Sequence, residues 1–171
     1  MPCSYLKQPS RALSNEILLR WLLDHGADPN TRAERRFPGS TFEPKTPLAE
    51  AARLPDPTPL RILLTYGAQM DPEAIFYAIG VDRGTAPGTA TMEVLYDHGA
   101  DLNFISERWS TPLNFAIRRN LPRKLKFLLD HGADPNLRPT KWDQTAFEYA
   151  KERGAGNLYK MLEESCGRET A

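Results

Sequence analysis

Nine residues, LLDHGADPN, stand at Leu22–Asn30 and again, letter for letter, at Leu128–Asn136. Two degenerate copies lie between them: LLTYGAQMD at Leu63–Asp71 and LYDHGADLN at Leu95–Asn103. The glycine of the unit falls at Gly26, Gly67, Gly99 and Gly132, at intervals of 41, 32 and 33 residues. A period near 33 marks a chain built from similar supersecondary units stacked on one another.

Each copy closes a helix. Leu125, Leu128 and Leu129 are spaced as one buried helical face. Gly132 then sits where a chain leaving a helix turns through a left-handed conformation, which a side chain with a Cβ resists. Ala133 is small enough to tuck under the neighbouring unit, and Asp134 and Asn136 suit turns because their short side chains bond nearby backbone. Upstream, Thr46-Pro47-Leu48 and Thr111-Pro112-Leu113 each put a threonine cap before a proline at the first helical position, where the missing N–H is harmless. Start and stop keep one phase, with 21 residues from Thr46 to Gly67 and 21 from Thr111 to Gly132.

A unit that opens T-P-L-x-x-A, closes L-L-x-x-G-A-D-x-N and holds two helices resembles the ankyrin repeat over nearly the whole chain. The resemblance implies an all-α ankyrin-repeat solenoid of about five helix-turn-helix units in a single domain, 1–171. The units run about 5–30, 46–71, 72–103, 111–136 and 145–165, the first partial and the last a cap.

The units differ in informative ways. The first lacks a Thr-Pro-Leu, and Pro9 interrupts any helix there; from Ser14, an expected N-cap, Ile17, Leu18, Leu19, Leu22 and Leu23 form a broad apolar face that, with Trp21, needs covering. Either Tyr5, Leu6 and Leu13 cover it, or the array continues or the chain dimerises. The stretch Thr31–Lys45, with Arg32, Arg35, Arg36, Phe37 and Phe42, is an enlarged finger that reads equally as a tolerated insertion or as a binding loop. In the second unit Glu50 occupies a half-buried position and expects Arg53, three residues on, as its partner. The third unit passes from Gly67 almost directly into Asp71-Pro72-Glu73, so its finger is lost and a notch is expected beside Phe76 and Tyr77. The loop Val81–Thr91 reads as flexible and inert. The last helix, expected over Asn157–Glu164, replaces a leucine with Glu163, as suits an outer face that meets water.

Lys and Arg equal Asp and Glu at 22 each, so no global field draws nucleic acid, and the run Arg118, Arg119, Arg123, Lys124, Lys126 spans two helices rather than one patch. No apolar run spans a bilayer and no signal-peptide core opens the chain, which together lead us to expect an intracellular protein, cytoplasmic or nuclear. Cys3 and Cys166 are expected at opposite ends of the stack, beyond the roughly 4.4–6.8 Å between Cα atoms that a disulfide needs. His25, His98 and His131 share one slot in the last helical turn, so repetition explains them better than metal binding. The common catalytic signatures are absent, and Glu50, Glu73, Asp143 and Glu148 read as solvated charges. Neither a catalytic residue, a cofactor nor a metal is expected.

The resemblance implies a scaffold that binds a protein partner along its concave side. Projecting the family's contact positions selects Lys45 and Arg53 in the second unit and Phe76 and Tyr77 beside the notch. In the fourth unit it selects Trp109, Ser110 and Arg118, and in the fifth Trp142, Gln144 and Glu152. Tyr77, Phe115 and Tyr149 also occupy equivalent positions, which fits inter-repeat packing as well as contact. A second reading walls a small-molecule or catalytic pocket with Phe76, Tyr77, Trp109 and Phe115, with Glu50, Arg53 or Arg118 supplying charge.

Overall fold

A computed structural model describes residues 12–32, 45–80, 88–139, 141 and 143–167. Within them the punctuation read from the sequence sets the elements. Nine helices lie wholly within the described residues, in order: α1 (Glu16–Asp24), α2 (Pro47–Ala51), α3 (Thr58–Thr65), α4 (Ala74–Ile79), α5 (Ala90–Asp97), α6 (Pro112–Arg118), α7 (Pro122–Asp130), α8 (Ala146–Glu152) and α9 (Gly156–Cys166). Thr46 and Thr111 cap α2 and α6, accepting the N–H groups of Ala49 and Asn114, each at 3.1 Å. Thr145 and Glu148 close a reciprocal capping box on α8. Gly26, Gly67, Gly99 and Gly132 leave their helices with φ of 83°, 83°, 84° and 86°, the left-handed stop that the period required.

The helices pack as pairs, α2 on α3, α4 on α5, α6 on α7 and α8 on α9. One row runs α2, α4, α6, α8; behind it α1 packs on α3, α3 on α5, and α7 on α9. The result is an all-α solenoid whose core runs between the rows, with Leu48, Ile75 and Leu113 buried at matching positions. Several boundaries depart from expectation by a few residues. Asn15, not Ser14, caps α1, accepting the N–H of Leu18 at 3.0 Å. The last helix gains residues at both ends, and α5 already begins at Ala90, inside the stretch expected to be loop.

Successive units are tied by polar contacts as well as by apolar packing. Asn30 accepts the N–H of Gln69 at 2.7 Å and donates to the Gly67 carbonyl at 3.3 Å. Asn103 repeats the arrangement on the fourth unit, with Asp134 N–H at 2.8 Å and the Gly132 carbonyl at 3.3 Å. In the second row, Thr91 Oγ1 donates to the Leu54 carbonyl at 3.1 Å. At the equivalent place one unit later, Lys124 donates to the Ala78 and Ile79 carbonyls at 2.7 and 3.1 Å. Its amine therefore lies inside the stack, 2% exposed, and is lost to any basic patch.

Among the described residues, one side of the first unit has less cover than its counterpart in the fourth. Trp21 stacks on His25 with centroids 4.1 Å apart, just as Phe127 stacks on His131 at 4.0 Å. Tyr96 of the preceding unit covers the second pair, 4.7 Å from His131, whereas Ile17 and Trp21 remain 81% and 50% exposed. Tyr5 and Leu6, expected to cover them, lie outside the described residues, as do Cys3, Arg35, Arg36, Phe37 and Phe42.

Candidate functional site

The aromatic residues of the third and fourth units meet on the α2–α4–α6–α8 side, and a short hairpin puts them there. Ser106 and Ser110 bridge through paired backbone bonds of 3.0 and 2.9 Å. Ser106 Oγ donates to Glu73 at 3.0 Å and accepts the N–H groups of Arg108 and Trp109 at 3.2 and 3.3 Å. One hydroxyl thus fixes the hairpin turn and ties it to the unit before. Ser110 takes φ of 70°, a conformation few L-residues adopt. Trp109 is thereby laid against Tyr77, with ring centroids 5.0 Å apart and planes at 85°, the edge-to-face geometry that aromatic quadrupoles favour.

Beneath this pair Phe76 is 1% exposed. It is enclosed by Trp109 at 5.2 Å, Phe115 at 5.6 Å and Phe104 at 6.4 Å. The expected notch is therefore filled: the fourth unit's hairpin lies over the place where the third unit's finger is missing. Phe76 is corrected from a contact residue to a core residue. Ser110 is corrected likewise, being buried with its Oγ accepting from Asn114 Nδ2 at 3.2 Å. Tyr77 and Trp109 stay half-buried and reach the surface.

Cations lie on these rings. Lys45 Nζ stands 4.5 Å from the Tyr77 centroid, Arg108 5.1 Å from Trp109, Arg118 4.8 Å from Phe115 and Arg153 5.3 Å from Tyr149. Arg153 also donates to the Tyr149 hydroxyl at 3.1 Å. Glu50 pairs with Lys45 at 3.7 Å, not with Arg53 as expected, because Lys45 lies across the helix start from it while the Arg53 side chain stays exposed. Burial holds the Lys45 amine below its ordinary pKa, and the positive charges of Arg53 and Arg108 push the same way against Glu50. The Tyr77 phenol is pushed up to about 12, by burial first and then by the Glu73 and Asp71 carboxylates.

Further along, Asn114 joins the fourth unit to the fifth, donating to the Gln144 carbonyl at 3.2 Å; its Oδ1 is buried and accepts no hydrogen bond among the described residues. The Gln144 side chain donates to Glu152, so these two expected contact residues bind each other. Trp142 lies outside the described residues. A cleft between Trp109, Asn114, Arg118 and Tyr149 has a volume of about 20 Å³, room for a single water-sized group. A wider one of about 510 Å³ opens between the inter-helix turns of the fourth and fifth units, with Arg118, Asn120, Arg153 and Asn157 in its walls. Reading the sequence missed Arg108, Asn114 and Arg153, whose places depend on neighbouring units. The cation beside each ring was in principle legible, since Arg108 directly precedes Trp109 and Arg153 follows Tyr149 by four.

The histidines stand where the repeat puts them. Each Nδ1 meets the carbonyl four residues earlier, Trp21, Val94 and Phe127, at 2.7–2.8 Å, so in each case Nδ1 carries the proton. Among the described residues no helix is long and apolar enough to cross a membrane.

The family model for ankyrin repeats in many copies matches residues 94–150, from within α5 into α8. No curated protein matches the chain.

Proposed function

Since the chain belongs to the ankyrin-repeat proteins, whose repeats generally mediate protein–protein interaction, we propose that it is a non-enzymatic binding module that takes a partner protein along the α2–α4–α6–α8 side. The observation that carries this reading is the Tyr77–Trp109 pair: two half-buried rings, held by a hairpin locked through Ser106 and flanked by Lys45 and Arg108. Trp, Tyr and Arg dominate interface energetics because they combine large contact area with few rotamers or several donors. The small-molecule reading finds less support, since the aromatic rings pack on one another, the cleft beside Trp109 is far below the roughly 300–1,000 Å³ of ligand pockets, and the 510 Å³ cleft has no aromatic residue in its walls.

The test begins with a pull-down from the source cells to supply the partner, whose affinity is then compared across variants. Trp109→Ala and Arg118→Ala should each weaken it by about 1–3 kcal/mol, and Lys126→Ala, on the opposite row, should leave it unchanged. Phe76→Ala is a packing control and should lower stability instead. Binding that survives the first two changes but fails when Arg35, Arg36 and Phe37 are replaced would move the site to the long first finger.

A further inference from the structure

The chain is neutral overall, yet its charges are not evenly placed: two arginines wall one cleft that no carboxylate lines. Carboxylates on the binding side keep their charge, but most have an oxygen held by a partner within the protein. Glu50 faces Lys45, Asp71 accepts from Thr46, and Glu73 accepts from Ser106. Asp143 and Glu148 hold Arg138, and Glu152 accepts from Gln144. Glu107, beside the hairpin turn, is the exception. The guanidiniums differ: among the described residues Arg53, Arg108, Arg118 and Arg153 meet no carboxylate, and the last three lie against aromatic rings. An arginine stacked on a ring keeps its edge donors free for a carboxylate, which takes two of them at once. Two of the four, Arg118 and Arg153, wall the same 510 Å³ cleft.

We propose that the partner's docking segment is acidic: an extended stretch of a protein carrying Asp or Glu side chains, one of them seated in the cleft between Arg118 and Arg153 and others meeting Arg108 and Arg53. The complementarity is one of charge and reach. Arg53 and Arg108 both act on Lys45, Trp109 beneath Arg108 shares a cleft with Arg118, and Arg118 shares the next with Arg153, so the cations form a connected set that one extended segment can reach. Burial first, and then the positive charges of Arg53 and Arg108, lower the Lys45 pKa; an acidic segment offsets the second of these. Electrostatic attraction of this kind governs partner choice and association rate more than it governs total affinity.

This inference rests on the binding reading above, and one experiment separates their failures. A random dodecapeptide display library is panned against the folded protein, and the selected pool is rebound to variants. The expected pool is enriched in Asp and Glu. It loses about tenfold in affinity with Arg118→Gln plus Arg153→Gln, keeps its affinity with Lys126→Gln, and weakens several-fold as salt rises from about 50 to 300 mM. A pool that needs Trp109 but carries background acid content and ignores the arginine changes overturns the acidic segment and leaves the binding surface standing. A pool indifferent to both Trp109 and the arginines, or no pool at all, overturns both. Circular dichroism on each variant confirms that the fold persists.

Discussion

Asn103 and Asp134 are separated by 31 positions and joined by a 2.8 Å hydrogen bond from the Asp134 N–H to the Asn103 side-chain oxygen. The bond places the end of one unit directly under the end of the next, with the other half of the same amide closing on the Gly132 carbonyl. Asn30 does the same to the second unit. The turn residues of the repeated nonapeptide therefore act in two directions, with Asp28, Asp101 and Asp134 fixing their own turns and the asparagines fixing the spacing between units. Between the third and fourth units that spacing is the frame across which the hairpin brings Trp109 to Tyr77.

Lys124→Met should destabilise the protein by about 1–3 kcal/mol, because it keeps the volume while leaving two buried carbonyls without their ammonium donor. Denaturant titration measures it. A change near zero would mean that the Ala78 and Ile79 carbonyls find other donors and that the lysine is dispensable.

Gly132→Val should lower stability by about 1–3 kcal/mol through backbone strain alone, since a Cβ built at Gly132 meets no atom within 4 Å while φ stands at 86°. Gly132→Asn, a residue that tolerates this region, should lose clearly less. Equal losses for the two would show that crowding, not the left-handed turn, sets the penalty.

Tyr77 carries a pH signature. Its folded-state pKa of about 12 exceeds the ordinary 10, so the folded chain holds the phenol proton more tightly than the unfolded chain does. The associated stability is complete below pH 10 and is lost as pH rises through 12. Denaturation at pH 8, 10 and 11 should show the parent protein declining more steeply than Tyr77→Phe. Parallel declines would place the phenol in ordinary contact with water.

What was legible in the sequence is what local backbone chemistry decides. Thr46, Thr111, Pro47, Pro112 and the four turn glycines each act within a few residues of themselves, so their roles follow from type and spacing. Phe76 was misread for the opposite reason: its burial is settled by Phe104, Trp109 and Phe115, which arrive from the next unit. Glu50 was given Arg53 because helical spacing suggested it, whereas Lys45 sits closer in space. Lys124 stood out only as one member of a basic run, and nothing within its own unit signals the carbonyls 45 and 46 positions upstream that bury it.

A chain that spells the same nine residues at Leu22–Asn30 and Leu128–Asn136 faces a problem of identity, because α1 and α7 end alike and could exchange neighbours during folding or between molecules. Lys124 distinguishes them. Its counterpart in α1 is Leu18, and only behind the third unit does an ammonium find the paired carbonyls of Ala78 and Ile79. Docked behind any other unit, the amine would be stranded without them, so one buried lysine tells two helices with the same ending which place in the stack is theirs.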